Sequence, residues 1–212
     1  AAGFDKSAEV YNSLFKFGYG FVEVGTITPK RQLGNPKPRV FRLEKEQALI
    51  NRLGFNNHGS EIVVKRIADN LPSGFLGINV GPNKDTDDKE QDYFVCLSRL
   101  SPYAGYLTIN ISSPNTKGLR DFHEQKELEK LLEGLNKVKK DKNILKPLVL
   151  KLSPDIDNSE ISKIIEIVFK YNIDGIIVSN TTDSNREKLS DAQKNETGGL
   201  SGQPLRDLST NL

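Results

Sequence analysis

The sequence predicts an α/β fold that is an incomplete portion of a (β/α)8 barrel. Three observations predict it. Short apolar runs rich in β-branched residues recur along the chain, segments with helical spacing separate them, and most of the runs end in polar or glycine residues. Strands that alternate with helices in this way lie parallel and are joined by right-handed crossovers.

Five apolar runs have the length of buried strands, and they occupy residues 21–24, 75–80, 106–111, 148–152 and 175–178. A sixth strand is implied at residues 1–6, because Ala-Ala-Gly-Phe-Asp-Lys looks like the end of a strand. A complete barrel has eight strands and about 250 residues. With about six strands in 212 residues, we expect this chain to be truncated at both ends.

Four segments between these runs have the spacing of amphipathic helices, at residues 10–17, 60–67, 128–138 and 161–168. Ser60 is expected to cap the second helix, and Asn158 or Ser159 the fourth. Residues 28–59 contain Pro29, Pro36 and Pro38 and lack strong periodicity. We expect a long folded loop there that delivers the amides near its end to a pocket.

Two architectures fit this order of elements, an open doubly wound sheet and a closed barrel of the TIM type. No Gly-x-Gly-x-x-Gly pattern follows the first strand, which argues against a dinucleotide-binding open sheet. In barrels the chemistry lies at the carboxyl ends of the strands. Polar side chains stand at those ends here: Lys6, Thr26, Asn79, Asn110, Lys151 and Ser179. One shared pocket, and therefore the barrel, is favoured.

Composition excludes several classes of protein. A formal net charge of +2, from 30 basic and 28 acidic side chains, gives no case for nucleic acid as a partner. Cys96 is the one cysteine and is expected to be a buried core thiol. No membrane-spanning run or signal peptide is evident. No spacing of ligand residues predicts a metal site, and we expect His58 and His123 to be surface or structural residues.

The segment that begins at Asn110 and ends at Asn115, with the sequence Asn-Ile-Ser-Ser-Pro-Asn, follows a predicted strand directly. Its carboxamides suit a polar ring with several oxygens, and Ser113 between them is a candidate proton acceptor. A turn held by Asx-type bonds explains the same residues. Lys6 and Lys151 are either rim charges or the partners of an anionic ligand.

Together these segments resemble the dihydroorotate dehydrogenases, and specifically their quinone-linked class 2 branch. The matching segments are residues 1–6, 23–29, 34–39, 51–57, 77–84, 110–120, 173–182 and 197–202. The resemblance implies an FMN-containing barrel that converts (S)-dihydroorotate to orotate in de novo pyrimidine (UMP) biosynthesis. A quinone would be the final electron acceptor.

The resemblance also implies roles for individual residues. Ser113 would be the catalytic base, where the class 1 branch uses a cysteine. The cofactor contacts would be Ala2, Gly3, Phe4, Asp5, Lys6, Thr26, Asn79, Asn110, Lys151, Ser179 and Gly202. The substrate contacts would be Lys6, Asn51, Arg52, Leu53, Gly54, Phe55, Asn110, Asn115, Asn180 and Thr181.

The resemblance implies two further parts that we expect to lie outside residues 1–212. These are the N-terminal helices that form the quinone tunnel and touch the membrane, and the last barrel strands that grip the FMN phosphate. Residues 1–212 are therefore expected to be the central part of one FMN-binding barrel domain. We expect a protein associated peripherally with the cytoplasmic face of a bacterial inner membrane, or with the mitochondrial inner membrane.

Three other interpretations stay open at this point. Another FMN barrel that acts on pyrimidines would share parts of the pocket but use a cysteine. A phosphate-binding isomerase or lyase barrel without flavin would need carboxylates at the strand ends. An inactive truncated fragment would keep the motifs without closing its barrel.

Overall fold

The computed structural model describes residues 3–116 and 118–212. In chain order, the elements of these residues are α1 (Tyr11–Phe15), β1 (Phe21–Ile27), β2 (Val40–Leu43), β3 (Ala48–Asn51), α2 (Ser60–Asp69), β4 (Phe75–Val80), α3 (Lys89–Leu100), β5 (Tyr106–Asn110), α4 (Gln125–Asp141), β6 (Leu148–Lys151), α5 (Asn158–Lys170), β7 (Gly175–Ile177), β8 (Gly199–Gly202) and α6 (Gln203–Thr210). Short 3-10 helices lie at Ser101–Tyr103, Arg120–His123 and Ala192–Asn195.

Five parallel strands form the main sheet in the order β1-β4-β5-β6-β7. Each strand after β1 pairs with the parallel strand that precedes it in the chain, and α2, α3, α4 and α5 lie in the successive connections. A doubly wound sheet reverses this order at a switch point, and the described strands show no reversal. The prediction of an α/β barrel portion is therefore confirmed.

The core lies between the sheet and the helices that follow its strands. In β4 every residue from Leu76 to Val80 is buried, which is typical of a parallel strand covered on both faces. The long helix α4 buries Leu128, Leu131, Leu132 and Leu135 on one side. Burial of each such leucine contributes about 2 kcal/mol relative to an exposed one, so the sheet edge that carries the polar residues rests on a rigid base.

The strand predicted at residues 1–6 is wrong for its described part. Gly3 to Lys6 form a turn and bends that fold back over β1. The backbone N–H of Gly3 donates to Gly25 over 2.7 Å, and the N–H of Gly25 donates to Asp5 over 2.8 Å. The Asp5 carboxylate accepts from the N–H groups of Glu9 and Val10, so local polar bonds replace strand pairing. Ala2 lies outside the described residues.

The loop predicted at residues 28–59 contains a β-hairpin instead. In β2, Phe41 and Leu43 are buried while Val40 and Arg42 are exposed. This period of two is the pattern of a strand with one buried face. β3 pairs antiparallel with β2 and also with β8, which forms a second sheet of three strands. The alternation was too short to stand out beside the prolines that precede it.

The predicted helices are present, but two of their caps were wrong. Ser60 is the first residue of α2, and Gly59 is its N-cap with a φ of +85°. Asp157, rather than Asn158 or Ser159, is the N-cap of α5. The Ser60 hydroxyl donates to the Pro29 carbonyl instead, which ties α2 to the chain that leaves β1.

Candidate active site

A pocket of about 270 Å³ lies at the carboxyl ends of the parallel strands. Lys151 ends β6 and Asn110 ends β5, and both face this pocket together with Thr26 of β1. Most of the predicted site residues line it: Gly3, Lys6, Thr26, Asn51, Leu53, Gly54, Phe55, Asn110, Ser113, Asn115, Lys151, Asn180 and Thr181. The fold thus collects residues from segments spread over most of the chain.

The side chain of Asn110 lies at the centre of the polar floor of the pocket. Its amide Nδ2 donates to Thr26 Oγ1 over 3.1 Å and to Asn79 Oδ1 over 3.2 Å. Its Oδ1 accepts from Ser112 Oγ over 2.7 Å, and that hydroxyl accepts from Asn180 Nδ2 over 2.8 Å. Asn110 is almost fully buried, so these bonds fix the direction of its amide.

The segment from Asn110 to Asn115 is both a turn held by side-chain bonds and part of the pocket wall. Its local bonds are those of a turn, since Ser112 N–H donates to Asn110 Oδ1 and Asn115 N–H donates to Ser113 Oγ, each over 3.2 Å. The same turn places Ser113, Asn110 and Asn115 on the pocket wall. Ser113 is buried with its hydroxyl oxygen held in place by the Asn115 N–H.

Two lysines bring positive charge into the pocket. Burial, the nearby Arg39 charge and the Lys151 charge lower the pKa of Lys6 to about 8. Burial also lowers the pKa of Lys151, and the Glu23 charge opposes that shift. Among the described residues, neither ammonium group lies within ion-pair distance of a carboxylate. The pocket is therefore suited to an anionic ligand.

Arg120 supports the Ser112–Ser113 turn from outside the pocket, and the sequence reasoning did not single it out. Its Nε donates to the carbonyl of Ser112 over 3.3 Å. Its guanidinium pairs with Asp155 over 3.0 Å and with Asp183 over 3.1 Å. One planar side chain therefore links the loops that follow β5, β6 and β7.

Several predicted contact residues do not line this pocket. Phe4 is 76% exposed, and Asp5 is buried with its carboxylate bonded to backbone N–H groups. Asn79 lies fully buried beneath Asn110. Ser179 Oγ donates to Ser209 Oγ over 3.2 Å. The roles assigned to these four residues stay predictions.

Arg52 and Gly202 also lie away from the pocket. Arg52 pairs with Glu196 over 2.6 Å and stands 4.5 Å from the centre of the Phe41 ring. Gly202 ends β8 with a φ of +93°. A Cβ there would stand 2.3 Å from the carbonyl oxygen of Gln47, so the glycine permits close packing of β8 on the hairpin. Their predicted ligand contacts stay predictions.

The second sheet contributes pocket residues that the sequence reasoning missed. Val40 of β2, Leu49 of β3 and Ser201 of β8 line the pocket. Val40 and Leu49 project from the face of the hairpin opposite to Phe41 and Ile50, which are buried. Recognition of the hairpin from its period of two would have found this apolar wall.

His123 is a structural histidine in this fold. Its Nδ1 lies 2.9 Å from the Arg120 carbonyl, and its Nε2 accepts from the Ser153 N–H over 3.2 Å. This arrangement requires the neutral ring with its proton on Nδ1. Burial is the main cause that lowers the pKa of His123. The ring joins the loop after β5 to the loop after β6.

Within residues 3–116 and 118–212, no group of three or more His, Cys, Asp or Glu side chains is placed to hold a metal ion. None of the helices there combines the length and the apolar character that a membrane crossing requires.

The chain is similar in sequence to proteins of one family. A family model described as dihydroorotate dehydrogenase matches residues 1–212. The chain is 47% identical over 214 residues to a dihydroorotate dehydrogenase (quinone) of Bartonella tribocorum and covers 59% of that relative. It is 46% identical over 217 residues to one of Rhodopseudomonas palustris and covers 60% of it. The match takes in 99% and 100% of this chain, respectively.

Solved structures give the same result at the level of the fold. The structure of Eimeria tenella DHODH in complex with ferulenol superposes with a TM-score of 0.93 at 41% identity. That match covers 100% of this chain and 63% of the other. The ligand-free type of the Eimeria protein superposes with a TM-score of 0.90 at 42% identity, and the match covers 99% of this chain and 65% of the other.

Proposed function

The chain belongs to the dihydroorotate dehydrogenase family, and from this premise we propose that it is the central catalytic part of a quinone-dependent enzyme. The reaction is the oxidation of (S)-dihydroorotate to orotate in de novo pyrimidine biosynthesis. One observation carries the proposal: Ser113, Lys6 and the amides of Asn51, Asn110 and Asn115 converge on one pocket at the strand ends.

The pocket has groups that suit an FMN ring. Thr26, Asn110 and Lys151 present hydroxyl, amide and ammonium groups on one side, and the edge of a flavin alternates hydrogen-bond acceptors and donors. Gly3 lines the same pocket, and its φ of +99° is a conformation that a residue with a Cβ rarely adopts. When bound, FMN would supply the hydride acceptor, and the Lys151 ammonium would offset negative charge on its reduced form.

The remaining pocket groups suit dihydroorotate. The Lys6 ammonium can pair with the substrate carboxylate, with no carboxylate of the described residues competing for it at ion-pair distance. The side chains of Asn51, Asn115, Asn180 and Thr181 can bond to the amide-like edge of the pyrimidine ring. The apolar groups of Leu53 and Phe55 exclude water from one side.

In the proposed reaction dihydroorotate loses a proton from C5 and a hydride from C6, which leaves the double bond of orotate. Ser113 Oγ accepts the C5 proton. A serine hydroxyl is a weak base at neutral pH, so it takes the C5 proton as its own hydroxyl proton passes to a water molecule or another hydroxyl. The Asn115 N–H bond to Ser113 Oγ holds the oxygen in one position during that transfer.

The alternative of a cysteine-dependent pyrimidine reductase receives no support from the position of Cys96. This thiol is fully buried in α3, and it donates to the Ile27 carbonyl over 3.8 Å. Burial raises its pKa well above that of a free thiol. As the only cysteine of the chain, it lies in the core rather than on the pocket wall, so Ser113 is the better candidate for the proton acceptor.

Partners and location follow from the same family assignment. Relatives of this chain are named for a quinone, and we propose that a quinone reoxidises the flavin here. The chain spans 59–60% of the length of those relatives. We propose peripheral contact with a membrane, at the cytoplasmic face of a bacterial inner membrane or at the mitochondrial inner membrane.

Quinone-dependent oxidation of dihydroorotate by the protein that contains this chain tests the proposal, with Ser113→Ala beside wild type. Loss of a positioned base lowers kcat by about 10²- to 10⁴-fold near neutral pH. The exposed Ser159→Ala is the matched control and should keep full activity. Full activity in Ser113→Ala would remove this serine from the mechanism. If the flavin-loaded wild-type protein does not oxidise dihydroorotate, the proposal that dihydroorotate is the substrate is refuted.

A further inference from the structure

Glu23 is a buried carboxylate in the middle of β1, below the floor of the pocket. It is 7% exposed. Its neighbour in β4 is Gly77, and the neighbour of Gly77 in β5 is Tyr106. A Cβ at position 77 would stand 2.1 Å from the Tyr106 ring, so the glycine leaves the space through which Tyr106 reaches the carboxylate.

Three neutral donors satisfy the Glu23 carboxylate. Tyr106 Oη donates to Oε2 over 2.9 Å and Thr108 Oγ1 donates to the same oxygen over 2.7 Å. Asn79 Nδ2 donates to Oε1 over 3.2 Å. An anion buried in a strand is costly unless it is bonded in this way. The reaction proposed above gives Glu23 no role, although three side chains donate hydrogen bonds to its carboxylate.

We propose that Glu23 is a positioning residue that sets the direction of the amides on the pocket floor. Through Asn79, it orients Asn110 and then Ser112. The inference rests on the proposed function for its catalytic meaning, because Asn110 is a proposed contact of both FMN and substrate. The orientation itself is a property of the folded chain and is testable without any ligand.

The direction of the bonds that Asn79 makes follows from the carboxylate. An ionised carboxylate only accepts hydrogen bonds, so Asn79 must turn its Nδ2 toward Glu23 and its Oδ1 toward the pocket. Asn79 Oδ1 then accepts from Thr26 Oγ1 over 2.7 Å and from Asn110 Nδ2 over 3.2 Å.

The same logic continues to the pocket wall. With its Nδ2 committed to Asn79 and Thr26, Asn110 turns its Oδ1 to the Ser112 hydroxyl at 2.7 Å. The Ser112 oxygen accepts in turn from Asn180 Nδ2 at 2.8 Å. We call this series the amide ladder; its members are Glu23, Asn79, Asn110, Ser112 and Asn180. The anion at its lower end, together with the Ser112 backbone N–H that donates to Asn110 Oδ1 over 3.2 Å, leaves a single pattern of donors and acceptors between them.

Substitution of Glu23 by glutamine should break this pattern. The glutamine oxygen would take the two hydroxyl donors, and its amide nitrogen would face the Asn79 nitrogen. A flip of Asn79 would relieve that contact but would place its nitrogen against Asn110 Nδ2. Asn110 cannot flip in turn, because the Ser112 backbone N–H donates to its Oδ1. Either arrangement therefore leaves two donors in contact within a buried site, which costs free energy.

A charge swap should restore the ladder. In Glu23→Gln/Asn79→Asp, the new carboxylate at position 79 accepts from the glutamine, from Thr26 and from Asn110 at once. The single variant Asn79→Asp instead places two carboxylates at the position of a 3.2 Å hydrogen bond. The two substitutions are therefore predicted to be harmful singly and compatible together.

The test is a double-mutant cycle on the holoenzyme with two readouts, the midpoint of thermal unfolding and the affinity for orotate from the flavin spectrum. Each single variant should lower the midpoint and weaken orotate binding by about tenfold, within the coupling seen for contacting residues. The double variant should recover most of both losses. Glu133→Gln, an exposed neutralisation on α4, should change neither readout.

Additive losses in the double variant, or a double variant that does not fold, would overturn the inference. A measurement on the wild-type protein keeps the inference testable if the single variants fail to fold. With 15N-labelled asparagine, the side-chain amide protons of Asn79 and Asn110 should exchange with deuterium much more slowly than those of the exposed Asn211. Equal exchange would also overturn it. Wild type that binds neither flavin nor orotate refutes the proposed function, while the unfolding cycle still decides the role of Glu23.

Discussion

The side-chain amide of Asn115 donates to the backbone carbonyl of Asn51 over 3.1 Å. The two residues are 64 positions apart in the chain. Asn51 ends β3 of the hairpin, and Asn115 belongs to the turn that carries Ser113. The bond therefore holds the hairpin of the second sheet against the strand ends of the main sheet, and the candidate pocket lies between them.

Removal of this bond should weaken ligand binding more than folding. Asn115→Asp keeps the shape of the side chain but turns a carboxylate oxygen toward the Asn51 carbonyl, so an attraction becomes a repulsion. We expect orotate affinity to fall about tenfold, equivalent to 1.4 kcal/mol, with flavin content retained. A spectral titration measures it. Asn115 is also a proposed substrate contact, so unchanged affinity would show that neither its bond to Asn51 nor its proposed contact with the ligand contributes to binding.

The affinity for orotate should depend on the ionisation of Lys6. With a pKa of about 8 for Lys6, affinity should be constant at lower pH and should fall as pH rises through 8, because a neutral amine does not pair with a carboxylate. Titrations from pH 6.5 to 9.5 measure this. In Lys6→Arg the guanidinium stays charged throughout this range, so the decline of affinity with pH should vanish. A decline of equal size in this variant would show that another group causes the pH dependence.

The same shift predicts how the stability of the ligand-free protein changes with pH. An unfolded lysine keeps its proton up to a pKa of about 10.4, while Lys6 in the folded chain loses it near pH 8. Between these values the unfolded state binds more protons, so this residue makes the free energy of unfolding rise with pH. Denaturant unfolding of wild type beside Lys6→Met isolates the contribution, and identical pH slopes would contradict it.

His123 should make the fold sensitive to acid. Its lowered pKa means that the unfolded state takes up the proton first as pH falls through about 6.5. Stability is therefore lost below that pH until the folded ring also titrates. His123→Phe should reduce the slope of the unfolding midpoint between pH 7.5 and 5.5. It should also cost about 2 kcal/mol at neutral pH, because the Ser153 N–H loses its acceptor. Equal slopes would contradict the assignment.

Gly25 should tolerate no side chain. Its φ is +114°, and a Cβ there would stand 2.4 Å from the carbonyl oxygen of Asn79. That carbonyl belongs to fixed backbone and the positive φ disfavours a side chain, so Gly25→Ala should lower the free energy of unfolding by about 3 kcal/mol. Gly20→Ala is the matched control, since a Cβ at Gly20 meets nothing within 4 Å. Equal unfolding midpoints for the two variants would show that the β1 end can rearrange.

The five parallel strands and the helices α1, α2, α4 and α5 were predictable because each has a strong local signal, whereas α3 (Lys89–Leu100) was not predicted. The apolar run at residues 75–80 became β4, and the leucines of residues 128–138 became the buried face of α4. The hairpin was not predicted, since four-residue strands give only two alternations each. The bend at Gly3 to Lys6 was mistaken for a strand because its bonds to Gly25 are not visible in a short local sequence.

The sequence by itself determined the family of the chain, the parallel order of its strands and the residue types at their carboxyl ends. Those features follow from hydrophobic period and from motifs, which are local. Tertiary structure alone decided that Arg52 pairs with Glu196, that Val40 and Leu49 wall the pocket, and that Glu23 stands beneath Asn79 and Asn110. Each of these depends on contacts between residues distant in the chain, and burial and hydrogen-bond direction at such contacts exist only once the sheets have packed.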